Sequence, residues 1–253
     1  MEVVPVTLEL IVCISSVRLL LPGDLMPLDN RQNVFKMIQI EQNLKASKQE
    51  LKKAKSLLQL DELKRRKRVL RRLGYADPQD VITFKGRVAC EISAADELVL
   101  TEMLFNGTFN DLTVSQCTAL LSCLVFQENA ELPKLIEELT GILRQMQEIA
   151  RRIAKVTLEA KLPVDENEYV ESFKPHLMDV VYSWTNGASF ANICEMTQIF
   201  EGSIIRCMRR LEELLREMCS ASKAMGSADL ENKFSEGVRR IKRDIIFAAS
   251  LYL

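Results

Sequence analysis

Arg206, Arg209, Arg210, Glu213 and Arg216 crowd into residues 201–218, EGSIIRCMRRLEELLREM, at spacings that would let them work together. Apolar residues recur in the same stretch at Ile204, Met208, Leu211, Leu215 and Met218. That alternation of four and three lays one greasy stripe along a 3.6-residue helix. The charged positions fall away from the stripe, so the expected object is a helix with its oily side turned inward and guanidinium groups outside. A guanidinium is planar and permanently charged, and it forks onto phosphate or stacks on a base. A row of them makes a track over which single-stranded nucleic acid can pass. The plainer reading is a solvated helix face whose Arg and Glu residues form i,i+4 pairs and nothing more.

Other chemistry is scarce. His176 is the single histidine, so a zinc site or a His-based dyad would depend on it alone, and before Leu177 and Met178 it reads as structural. The seven cysteines, Cys13, Cys90, Cys117, Cys123, Cys194, Cys207 and Cys219, are an odd number without C-x-x-C spacing. They read as reduced thiols of an intracellular protein. None of the nine glycines precedes a lysine, which excludes the G-x-x-x-x-G-K-[ST] phosphate cradle. Asp61-Glu62 and Asp96-Glu97 follow no apolar strand, so neither pair is expected to hold magnesium. No G-x-S-x-G, H-E-x-x-H or G-x-G-x-x-G motif occurs.

These residues need elements to hold them. Nine glycines and seven prolines are few for 253 residues, and the wealth of Leu, Ile, Met, Ala, Glu, Lys and Arg favours a mainly helical protein. Charge is balanced overall, 34 basic against 35 acidic residues, so no global polyanion-binding field exists. It is unevenly spread, with twelve Lys or Arg against three acidic residues over 45–72. Residues 2–21 read as one or two strands before a turn at Pro22-Gly23-Asp24. Glu2, Pro5 and Glu9 argue against a signal peptide, and no run of eighteen uncharged apolar residues marks a membrane span. A cytosolic or nuclear home is expected.

A short helical pattern over 31–42 leads to a long charged helix over 44–73, in which Leu44, Leu51 and Leu58 repeat every seven residues, the mark of a narrow stalk seam. It contains KRRKR at 64–68, read either as a nucleic-acid or nuclear-import patch or as a solvated face, and Gly74 is placed to cap it. Residues 80–93, DVITFKGRVACEIS, read as two β-prone runs around Lys85-Gly86, a small hairpin. Helices then follow over 96–106, 114–126, 133–160, 168–184 with Pro175 kinking or dividing it, 189–196, the arginine-bearing stretch, and 230–249.

The strings RKRVLRRLGY (66–75), KGRVACEISAADEL (85–98), FNGTFNDL (105–112), LLSCLVFQE (120–128), SFKPHLMDVVYSW (172–184) and FEGSIIRCMRRLEELL (200–215) as a set resemble the C-terminal, DSHCT part of the superkiller-type DExH RNA helicases, nearest to the branch that serves the nuclear exosome in the TRAMP complex. The resemblance implies a β-rich remnant of an inserted arch over 1–44, a basic stalk helix over 45–73, a winged-helix-like hairpin over 74–95 and a helical bundle over 96–253 with its ratchet helix at 203–220. It puts RNA contacts at Arg210, Glu213 and Glu128, to which the helical pattern itself adds Arg206 and Arg209. The family's two RecA-like ATPase domains are not in this sequence, and between about 40 and 45 it looks several dozen residues shorter than the family's stalk. No ATPase activity and no cofactor are therefore expected of this chain alone, ATP and magnesium belonging to the full-length family. The implied partners are single-stranded RNA, the RecA-like helicase core, the RNA exosome and TRAMP-type adaptors, with no membrane. The implied role is to guide RNA during 3′–5′ unwinding in the nucleus. Two other readings stand beside it: a helical bundle that braces the helicase core, and a winged-helix DNA-binding module.

Overall fold

The computed structural model of the chain describes residues 28–55, 59–130 and 135–247. The strands and turn expected over 2–24 lie outside them. The chain divides into two units between Leu60 and Asp61. In the first, α1 runs over Leu28–Lys55, a stretch with neither glycine nor proline. With no breaker the helix continues through residue 43, where the sequence suggested a pause between two helices. Leu44 and Leu51 of the expected seam are exposed on it, and Leu58 lies outside the described residues.

The KRRKR run sits on α2, Gln59–Arg72. Gly74, at φ +80°, follows it in the left-handed conformation, and the Tyr75 amide returns to the Leu70 carbonyl at 2.8 Å, closing the helix as expected.

The hairpin over 80–93 is not formed. Ala76 and Ile82 make one isolated antiparallel bridge, and no sheet occurs among the described residues. Lys85 and Gly86, read as its turn, lie inside a helix, α3, Phe84–Ala89. Thr83 caps this helix by accepting from the Gly86 amide at 3.2 Å, and Gly86, Val88 and Ala89 are buried by it. The β-preference of Val81, Ile82 and Val88 is weak and depends on context, and a side-chain cap plus burial outweighs it. Gly86 serves here by lacking a side chain: a Cβ would lie 2.3 Å from the Tyr75 carbonyl oxygen. The Gly86→Ala variant is expected to lose about 1–3 kcal/mol from this overlap, more than the roughly 0.5–1 kcal/mol that alanine adds to a helix. An unchanged or raised denaturant midpoint would refute the close approach.

The rest is a helical bundle. Its elements are α4 (Glu97–Phe105), α5 (Val114–Val125), α6 (Glu137–Glu159), α7 (Glu166–Glu171), α8 (Met178–Thr185), α9 (Phe190–Glu195), α10 (Glu201–Met225) and α11 (Ala228–Ile241). Asp96 caps α4, and Thr113 with Gln116 forms a reciprocal capping box at α5. Nine of the twelve residues of α5 are buried, so this helix has no solvent face and forms the centre, packed by α8, α10 and α11. Pro175 divides the stretch before it: α7 ends at Glu171, a 3-10 turn spans Pro175–Leu177, and α8 begins at Met178. The last helix is shorter than its pattern suggested. It stops at Ile241, whose carbonyl accepts the Trp184 indole N–H at 3.1 Å, and Arg243 turns back to donate to the Trp184 and Ala188 carbonyls.

Candidate nucleic-acid interface

The expected stripe is the buried side of α10. Ile204, Met208, Leu211, Leu215 and Met218 are each 0% exposed. Ile205, Cys207 and Leu214 are buried beside them, because α10 packs against α11, α5, α3 and the final 3-10 turn together. A wider apolar arc than the simple stripe is the consequence. Glu217 strengthens the seat: its carboxylate accepts from the Ser93 amide at 2.8 Å, the Ser93 hydroxyl at 2.6 Å and the Ala94 amide at 2.8 Å.

Arg206, Arg209, Arg210, Glu213 and Arg216 are all exposed, as their spacing required. Their surroundings differ. Arg210 and Glu213 lie one turn apart, and neither makes a hydrogen bond or an ion pair with the described residues. Arg209 is committed, its Nε donating to the Ile246 carbonyl at 2.9 Å. Arg216 pairs with Glu212 along the helix. Arg209, Glu212, Glu213, Arg216 and Phe247 line a shallow cleft of about 500 Å³.

Glu128 comes to this helix from the loop after α5. Its Oε1 lies 3.8 Å from Arg206 Nη1, so the carboxylate meets Arg206 and not Arg210. Burial pushes the Cys207 thiol on the neighbouring face up to about 12, with Arg210 opposing the shift and Glu128 adding to it. Both charges therefore stand within electrostatic reach of one buried atom.

The loop that offers Glu128 is pinned by residues the sequence reading missed. Lys174 Nζ donates to the Gln127 carbonyl at 2.8 Å, the Glu128 carbonyl at 3.2 Å and Asn129 Oδ1 at 2.6 Å. The Lys174 amide donates to the Cys123 carbonyl at 3.1 Å, and His176 Nε2 sits 3.0 Å from the Ala130 carbonyl. His176 is buried, with its ring 5.6 Å from that of Phe126, and burial lowers its pKa. The available signal was a lysine and a histidine flanking Pro175 in an otherwise apolar stretch.

The basic run on α2 is less open than its composition suggests. Lys64 and Arg66 pair with Asp61 and Glu62 of the same helix, Lys67 and Arg71 share Asp80, Arg65 donates to the Lys161 carbonyl, and Arg72 pairs with Glu159. Such exposed pairs contribute little stability, but with the Arg65 contact they occupy four of the five cations of 64–68; Arg68 is exposed and has no such partner among the described residues. Lys85 and Arg152 both hold the buried Glu102 carboxylate, which Tyr75 also approaches at 3.3 Å. That cluster is closed and structural. Among the described residues no group of His, Cys, Asp and Glu is placed to hold a metal, and no helix is long and apolar enough to cross a membrane.

Two family models match the chain: the DSHCT (NUC185) domain over residues 79–248 and the Mtr4-like β-barrel domain over residues 1–73. The human protein named exosome RNA helicase MTR4 is 55% identical over 317 aligned positions, which cover 100% of this chain and 30% of that protein. The ATP-dependent RNA helicase mtr4 of Schizosaccharomyces pombe is 58% identical over 84% of this chain and 19% of its own length. The mRNA transport homolog 4 of Caenorhabditis elegans is 54% identical over 89% of this chain and 22% of its own. The chain thus spans less than a third of the length of these relatives. Because the human alignment runs over 317 positions against 253 residues here, several dozen positions face no residue of this chain.

Proposed function

The chain belongs to the DSHCT family, and from that premise we propose that it is the RNA-binding module of an exosome-associated, ATP-dependent RNA helicase. In this reading it guides single-stranded RNA along the outer face of α10 during 3′–5′ unwinding. The observation that supports it most is the state of Arg210 and Glu213, exposed one turn apart with no partner among the described residues, while Glu128 is held beside the same helix by Arg206. An arginine without a protein partner is free to fork onto phosphate or stack on a base. Glu213 and Glu128 accept from base amino groups or hold the arginines straight. The work itself belongs to a RecA-like core, with the exosome and TRAMP-type adaptors as the assembly served. A nuclear home accords with KRRKR at 64–68.

Titration of the chain with a labelled single-stranded RNA tests this. Binding is expected to weaken with salt, and Arg210→Ala to weaken it about tenfold, the value of one charge-assisted hydrogen bond. The log–log salt slope should fall by about 0.7, one phosphate contact on a single strand. Unchanged affinity and slope in Arg210→Ala, with the melting temperature retained, would remove the site.

A second reading, bracing of the helicase core, is favoured by the exposed apolar side chains Val81, Ile82, Phe84 and Phe105, the last two with rings 6.1 Å apart. It predicts little RNA binding by the chain in isolation. The winged-helix DNA reading loses its wing with the hairpin, and it alone predicts a preference for duplex.

A further inference from the structure

Phe200 stands at the N-cap of α10 and is 74% exposed, more than any other large apolar side chain among the described residues. Its ring lies against Gly202, where a Cβ would come 2.6 Å from the ring Cε1 and 3.1 Å from Cδ1. The ring is therefore folded back over the side of the helix that residue 202 occupies. Counting from 202, Arg206 follows at four residues, Arg209 and Arg210 at seven and eight, and Glu213 at eleven, which is the spacing of a single helix face. Single exposed hydrophobic residues are ordinary on protein surfaces, and exposure by itself would carry nothing. Two features set Phe200 apart: a gap at residue 202 that seats its ring, and cations farther along the same face.

We propose that Phe200 is a base-stacking platform for single-stranded RNA at the beginning of the arginine face of α10, with Gly202 as its positioning residue. This rests on the reading of α10 as an RNA track and adds a contact of a different kind to it. Aromatic faces hold bases with little regard to sequence, while arginines hold the backbone. Residues 202 and 210 lie about 12 Å apart along the helix axis at the usual rise, so ring and free arginine can engage different nucleotides of one strand.

The test compares the affinity of the whole chain for a labelled oligoadenylate and for a strand of equal length carrying abasic positions. Phe200→Ala is expected to weaken oligoadenylate binding about fivefold or more, the worth of one stacked base, and to shrink the preference over the abasic strand. Phe200→Trp should retain both. Gly202→Ala displaces the ring yet suits a helix better than glycine. It should reproduce the loss of binding with a melting temperature equal to or above that of the unaltered protein. If Phe200→Ala and Gly202→Ala bind RNA normally while Arg210→Ala does not, the platform is wrong and the track stands; the ring would then be an anchor for a protein partner. If none of the three weakens binding, the track itself fails. Equal losses on intact and abasic strands would also overturn stacking.

Discussion

The Leu211→Asp variant is expected to lose its cooperative melting transition. Leu211 is wholly buried on α10, on the side that packs against α5 and α11. Two costs add there. Removing a fully packed leucine side chain forfeits about 2–5 kcal/mol, and an unpaired carboxylate in that setting costs several more or must be protonated. A domain has only about 5–15 kcal/mol of net stability, so the sum approaches the whole. Glu213→Ala, half a turn away on the open face, should shift stability by no more than about 0.5 kcal/mol. Circular dichroism against temperature decides between these outcomes. A transition at the unaltered midpoint in Leu211→Asp would mean that the two faces of α10 have been assigned the wrong way round.

Truncation of Trp184 should be nearly as damaging. Its indole is 0% exposed, donates to the Ile241 carbonyl at 3.1 Å, meets the Phe190 ring edge-on at 6.4 Å and carries the Arg243 guanidinium over its face, Cζ 3.7 Å from the ring centroid. The residue thus locks α8, α9 and the end of α11 together. Trp184→Ala removes the ring that all three contacts share, and about 3–5 kcal/mol is the expected loss. Trp184→Phe keeps most of the volume but leaves the Ile241 carbonyl without its donor, for about 1–3 kcal/mol. Urea titrations followed by circular dichroism should order the three proteins accordingly, since the chain holds no second tryptophan to report by fluorescence. Alanine and phenylalanine variants with equal midpoints would show that the hydrogen bond, and not the ring, matters there.

Residues 201–218 were legible in advance because helical periodicity is local. The stripe from Ile204 to Met218 and the outward guanidinium groups follow from a 3.6-residue repeat, whatever the helix packs against. The cap at Gly74 and the break at Pro175 are equally local. The DSHCT family was also legible, carried by strings from residue 66 to 215. The hairpin around Lys85-Gly86 was misread because strand preference is weak and set by neighbours, and those neighbours include Tyr75, brought over Gly86 by the turn after α2.

Which charges meet is likewise a matter of tertiary structure. No spacing rule brings Glu128 to Arg206, makes Lys174 the clasp of the Glu128 loop, ties Arg209 to the Ile246 carbonyl or leaves Arg210 open. Each of these depends on where a second element lies across the helix, a separation of a few ångströms fixed by core packing. The sequence by itself therefore determined which residues of α10 face outward. The packed bundle decided which of those outward residues remain available to a ligand, because a side chain's partners come from elements that periodicity does not position.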